Sequence, residues 1–470
     1  MTTYSSDKSV SNIFLFIKDA IAGKPQDFTK GSIRKAVFIL AIPMILEMMM
    51  ESVFAVVDIF FVGRIGNQAV ATVGLTESVI TLVYSVAIGL SMAATALVAR
   101  RVGEKNTDAA AKAGMQAVLL SFAFTLLISI AGVVFAADIL RLMGASPDVI
   151  TNGVHYTRIM FGGSIVIMLL FLINGVFRGA GDASVAMKSL WIANICNIIL
   201  CPSLINGWGP FPAMGLTGAA IATTMGRGIG VLYQAYRLFK GNGVLQIKRV
   251  HFIPDFAVIK SVFNIAWAGT FQFLIGSASW IVLARIVAAF GVDAIAGYQV
   301  AIRVIMFFLL PAWGMSNATA TLVGQNLGAG LPERAVQSVW KTATYNTFFM
   351  FLVSVVFIFF SPAIIHFMNK NVAAETIAIQ VLRIVSAGYI FYGVGMVMMN
   401  AFNGAGDTKT PTYINLFVYW AFQIPFAFIL AFTLQLGPTG VFVAIISAEI
   451  LTTIVSIILF QKGKWKKIKI

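Results

Sequence analysis

Phe177-Arg-Gly-Ala-Gly-Asp182 recurs 225 residues further on as Phe402-Asn-Gly-Ala-Gly-Asp407. Three more pieces repeat at the same offset. Gly66-Asn-Gln-Ala69 returns as Gly291-Val-Asp-Ala294, Gly89-Leu-Ser-Met-Ala93 as Gly314-Met-Ser-Asn-Ala318, and Leu97-Val98 with Gly103 as Leu322-Val323 with Gly328. A constant offset over four separated pieces marks an internal duplication. Between them run apolar stretches of membrane-spanning length. They predict helices near 33–62, 69–99, 113–137, 154–176, 184–206 and 215–240 in the first copy. The second copy gives 258–289, 294–323, 338–362, 376–402, 410–434 and 438–460. These are numbered spans 1 to 12.

Composition agrees. Of 470 residues, 59% are hydrophobic and 11% charged, too little charge to cover a soluble domain. The net charge of +15 sits in the tails and alternate loops rather than on one basic face, which argues against nucleic acid as a partner. Arg100, Arg101, Lys105 and Lys112 follow span 2. Arg237, Lys240, Lys248 and Arg249 follow span 6, and five lysines end the chain. The positive-inside rule then puts both termini in the cytoplasm, with the bilayer itself as a partner. Two cysteines and three scattered histidines exclude a disulfide framework and a His-based metal site. No cofactor, no enzyme activity and a monomer are expected.

The fold expected is an all-α polytopic membrane protein with twelve transmembrane helices. They form two pseudo-symmetric six-helix bundles around a central cavity. Six spans per copy is an even number, so the copies share one orientation about an axis along the membrane normal. The divisions are a tail at 1–32, lobes at 33–240 and 258–460, a linker at 241–257 and a basic tail at 461–470. In the first tail Ile13, Ile17 and Ile21 recur beside Phe14, the pattern of an amphipathic helix on the membrane surface or of a loose tail.

Charge inside a bilayer is costly and points to function. Span 1 carries Glu47, Glu51 and Asp58, within roughly 40° of one another on a helix. Such a stripe faces a cavity, attracting organic cations and loading protons or Na⁺, or it pairs with buried arginines. Pro43 in the same span favours a bend, static or responsive. Asn194 and Asn197 share a face of span 5, as a polar site or as helix–helix hydrogen bonds. Asn174, Gln272, Tyr298 and Gln299 are the candidate substrate-cavity residues. Arg227, Arg285, Arg303 and Arg383 reach an interface or a carboxylate, and Glu77 and Glu449 are equally open. The two Gly-Ala-Gly-Asp turns are read as structural, with Asp182 and Asp407 as helix caps. Gly226-Arg-Gly-Ile-Gly230 follows no strand and reads as helix packing. No Walker A sequence is present.

These residues resemble the multidrug and toxic compound extrusion transporters over about 30–460. The resemblance rests on Ile42-Pro43, Val57-Asp58-Ile-Phe-Phe-Val-Gly63, Leu322-Val-Gly-Gln-Asn-Leu-Gly-Ala-Gly330, the paired Gly-Ala-Gly-Asp turns and Lys409-Thr-Pro411. It implies a cation-coupled antiporter exporting amphipathic, often cationic, compounds. Asp58 matches the family's first-helix carboxylate, and Pro43 the bending proline of the branch resembling the DNA-damage-inducible members. Asn197 and Thr223 match that branch's polar positions, where Na⁺ with Asp58 is the alternative ion. Cys201 stands where the branch has an aspartate, and a neutral thiol is a poor ligand for a hard cation. Glu47 and Glu51 are then expected to supply the missing charge, which favours H⁺ over Na⁺ as the coupling ion. A lipid-linked oligosaccharide flippase of the same superfamily, or an ion channel or receptor, is the alternative. At the 225-residue offset Glu47, Glu51 and Asp58 correspond to Gln272, Gly276 and Leu283, so ion coupling is expected in the N-terminal lobe.

Overall fold

The computed structural model describes residues 17–23, 26–240, 243–368 and 372–470, and among them there is no β-strand. The first lobe contains span 1 (Ile33–Gly63), span 2 (Asn67–Gly103), span 3 (Thr107–Val134), span 4 (Pro147–Ala180), span 5 (Ala183–Asn206) and span 6 (Gly215–Phe239). The second contains span 7 (Phe256–Ala288), span 8 (Val292–Gly328), span 9 (Pro332–Met368), span 10 (Val372–Ala387 with Tyr389–Ala405, bent by 57°), span 11 (Lys409–Thr433) and span 12 (Pro438–Gln461). Ten of these are long and apolar enough to cross a membrane, and bent span 10 makes eleven. Span 6 is less apolar, with Arg227 inside it, yet its 25 residues extend ~37 Å. Its glycines let it lie on span 5. A Cβ at Gly226 would stand 2.7 Å from the Ala193 carbonyl, and one at Gly230 2.9 Å from that of Ser189.

Local sequence sets the ends. Asn106 accepts from the Ala109 amide at 2.9 Å, and Asp255 from those of Ala257 and Val258, satisfying otherwise unpaired donors of the first turn. Gly181 and Gly406 end spans 4 and 10 at φ 88° and 86°, a conformation that favours glycine. Asp407 accepts from the Thr410 amide at 3.2 Å. Asp182 instead accepts from the Ser184 hydroxyl at 2.9 Å and makes no backbone cap.

Each lobe has its own apolar core, and the lobes exchange contacts along two seams. Span 1 lies along span 8, and span 7 along span 2. The repeated glycines make both seams close. A Cβ at Gly314 would meet the Met44 carbonyl at 2.5 Å, and one at Gly89 would overlap the Ala266 carbonyl. The first of these contacts falls on the residue after Pro43.

Residues 17–23, residues 26–31 and the C-terminal tail lie on one face, where the lobes are latched. Gln325 on span 8 donates to the Gly179 carbonyl at 3.0 Å. Its repeat-mate Arg100 on span 2 donates to the Ala405 carbonyl at 3.3 Å. Gly103 and Gly328 let spans 2 and 8 touch backbone to backbone there. Phe28 covers Gly181, and Ile470 covers Gly406. Asp27 pairs with Lys105 at 2.8 Å, while Arg334 donates to the carbonyls of Phe28, Lys30 and Gly31. Ile13 and Phe14 fall outside the described residues. The helical turn after them, 17–22, docks on span 5, where Lys188 donates to the Ala22 carbonyl at 3.3 Å.

Candidate functional site

Two connected chambers lie between the lobes. The N-terminal one, about 240 Å³, is lined by Glu47, Glu51, Tyr84, Asn174 and Arg178, and from the other lobe by Trp313, Asn317 and Asn403. The C-terminal one, about 310 Å³, is lined by Gln272, Trp280, Tyr392, Tyr419 and Glu449. Phe273, Trp313, Asn400 and Asn403 line both. Together the chambers have drug-like dimensions, with apolar and aromatic walls and a few convergent polar groups.

The stripe on span 1 divides along its length. Glu47 is 1% exposed and accepts from Arg178 at 2.8 Å and from Asn174 Nδ2 at 3.0 Å. Asn174 Oδ1 in turn accepts from Ser189 at 3.0 Å and Gln234 at 2.6 Å. Both bonds to Glu47 end on its Oε1, while Glu47 Oε2 and Arg178 Nε are buried with no hydrogen-bond partner among the described residues, so the pair is incompletely satisfied. One turn on, Glu51 lies 3.5 Å from Arg227. Arg227 is 3% exposed, with the rings of Phe54 and Tyr84 at 5.2 and 5.4 Å, placing a cation over aromatic faces. Asp58 lines neither chamber. It is buried inside the N-terminal lobe, within electrostatic reach of Arg227, Glu77, Tyr156 and Cys201.

The wall is therefore not a bare acidic stripe, because an arginine meets two of its three carboxylates. Those arginines come from spans 4 and 6. Arg178 directly precedes the first Gly-Ala-Gly-Asp turn, and Arg227 is one of the four arginines expected to reach an interface or a carboxylate. Asn194 donates to the Met50 carbonyl at 3.1 Å, a helix–helix bond outside the chambers. Asn197 donates to Thr223 at 3.1 Å, and its carbonyl oxygen has no partner. Tyr298 is buried in the C-terminal core, stacked on Phe442, and Gln299 is exposed. Neither lines a chamber. Gln272 does, at 9% exposure. The C-terminal lobe adds a carboxylate to the chamber wall, Glu449. Glu449, on span 12, accepts from the Tyr419 hydroxyl at 3.2 Å. Among the described residues no three His, Cys, Asp or Glu side chains gather as a metal site.

The duplication itself carries a signal for these pairs. At the 225-residue offset Glu47 and Arg178 fall on Gln272 and Asn403, and Glu51 and Arg227 on Gly276 and Thr452. Each carboxylate and its arginine lose their charge together in the second copy.

A two-lobed helical membrane protein with a cavity at its pseudo-symmetry axis has the architecture of a carrier. The MatE family model matches twice, at residues 43–203 and 270–429, once in each half. The chain belongs to that family. It is 26% identical over 436 residues to the probable multidrug resistance protein NorM of Thermotoga maritima, covering 93% of this chain and 94% of that one. It is 26% identical over 446 residues to the probable multidrug resistance protein YoeA of Bacillus subtilis, covering 94% and 96%. Among solved structures, the outward-facing conformation of a multidrug resistance MATE family transporter superposes with a TM-score of 0.89 at 24% identity. It covers 95% of this chain and 99% of that one, which shows the same fold.

Proposed function

We propose that this protein is a cation-coupled antiporter of a bacterial plasma membrane, exporting amphipathic cationic compounds by alternating access. The observation that carries this reading is the ion pair of Glu47 with Arg178, set in a cavity wall built by both lobes. The names of the relatives support drug-like substrates. Glu51 and Arg227 cancel in the same way, which leaves Glu449, engaged by the Tyr419 hydroxyl, as the chamber carboxylate without an arginine among the described residues and favours a cationic guest.

The same pair links ion entry to the gate. Arg178 holds Glu47 with its side chain, while its own carbonyl accepts from Thr321 of span 8 at 2.9 Å. The next carbonyl, that of Gly179, accepts from Gln325. A proton on Glu47 removes the partner charge of Arg178, one residue from the latch. Inward opening then separates spans 2 and 8 on the face that the positive-inside rule assigns to the cytoplasm. Asp58 is the deeper relay, coupled to Glu51 through Arg227. H⁺ is preferred to Na⁺ because Cys201, fully buried, offers a thiol where the related branch has a carboxylate.

Efflux of a fluorescent organic cation from proteoliposomes tests the residue roles. Asp58→Asn should lower pH-gradient-driven efflux at least tenfold while leaving dye binding measurable. Wild-type rates in Asp58→Asn would remove that residue from the pathway.

A further inference from the structure

A separate groove of about 450 Å³ opens between spans 11 and 12 on the face that carries the C-terminal tail. Its walls are apolar and come from both spans, with Phe417 on one side and Leu451, Val455 and Leu459 on the other. Phe417 is 64% exposed and Tyr413 57%, so the groove opens sideways, toward the bilayer. Its rim is basic. Lys462 and Lys464 stand at the end of span 12 and have no ion-pair partner among the described residues, whereas Lys466 is held by Glu333 at 3.0 Å. The one acid at the rim, Asp407, is engaged by the Thr410 amide and hydroxyl at 3.2 and 2.7 Å. Trp465, 1% exposed and stacked on Phe460, fixes the tail beside the groove.

We infer that this groove binds one anionic phospholipid of the leaflet on that face, its phosphate against Lys462 and Lys464 and an acyl chain along Val455 and Leu459. Basic pockets between membrane helices at the headgroup level hold anionic lipids in this way. The apolar walls call for a chain, which free phosphate lacks. The two unpaired ammonium groups call for net negative charge, which a phosphatidylcholine headgroup lacks.

Native mass spectrometry of the full-length protein, released from mixed phosphatidylglycerol and phosphatidylcholine micelles, tests the site. Wild type should retain one phosphatidylglycerol in preference. Each lysine near an anionic headgroup contributes about fivefold, so Lys462→Ala with Lys464→Ala should weaken retention roughly 30-fold. Val455→Trp, which fills the groove and leaves both lysines, should also lose the lipid. Lys35→Ala with Lys260→Ala, the same charge change elsewhere, should not. Wild-type retention in the groove lysine variant or in Val455→Trp would overturn the proposal. Displacement of the lipid by excess inorganic phosphate would overturn it too, marking a simple anion site.

Discussion

Glu47 and Arg178 are 131 residues apart in the chain and 2.8 Å apart in space. Removing one partner leaves the other buried and uncompensated, at a cost of about 3–5 kcal/mol. Glu47→Gln should therefore lower the melting temperature as well as abolish coupled efflux. Glu47→Gln with Arg178→Asn should recover most of the stability and none of the coupling, because it places at these positions the neutral residues that the second copy has, Gln272 and Asn403. A double variant as unstable as the single one would show that the pair is not the source of the effect. Asp27 makes a different prediction. Its bond to Lys105, and then that to Thr29, hold its carboxyl down at about 2. A depressed acid stabilises the fold above its unfolded value, near 4, and loses that contribution as pH falls toward 2. Between pH 5 and 8 the Asp27–Lys105 contact stays intact, so Asp27→Asn should leave the pH profile of efflux in that window unchanged. At this scale the sequence was half legible. The carboxylates stood out because charge in an apolar run is rare. Their arginines did not, because spans 4 and 6 meet span 1 only after folding.

Spans 1 and 8 meet where Gly314 rides on the Met44 carbonyl, next to Pro43 and one turn from Glu47. Span 1 is a continuous helix through that proline, so bending is a proposal about the cycle rather than a feature of this state. Pro43→Ala restores a helix hydrogen bond and should leave thermal stability equal or higher. If the bend responds to ion entry, coupled efflux should fall several-fold. Unchanged efflux would make the proline a static feature. The latch makes a second prediction. Gly328 touches the Arg100 carbonyl so closely that an added methyl group cannot fit without separating spans 2 and 8. Gly328→Ala should shift the population toward the state open on that face. The readout is faster thiol labelling of Asn317→Cys in the cavity, applied from the face bearing the chain ends. Wild-type labelling would show that the seam yields without opening. The Gly-Ala-Gly-Asp repeats end spans 4 and 10, with Gly181 and Gly406 making the turn that their sequence predicts. Their second role, as the carbonyls that the opposite lobe grips, depends on lobe–lobe contacts that no local pattern encodes.

The whole molecule follows from its duplication. Constant spacing and membrane-length apolar runs gave twelve helices in two lobes, and the family model matches once in each. Two identical halves would make a symmetric cavity. Here the first copy holds two carboxylate–arginine pairs and Asp58, while the second holds neutral equivalents plus Glu449, a position with no acidic counterpart in the first copy. Sequence comparison of the halves showed the first asymmetry. It did not show Glu449 at work, since span 12 reaches the cavity only through its packing beside spans 10 and 11. The most direct measurement of the central claim imposes pH and Na⁺ gradients separately on proteoliposomes and follows an organic cation together with internal pH. A pH gradient alone should drive efflux of the dye with matched proton entry in wild type and no proton entry in Glu47→Gln. Efflux driven by Na⁺ alone, or proton entry retained in Glu47→Gln, would contradict the account.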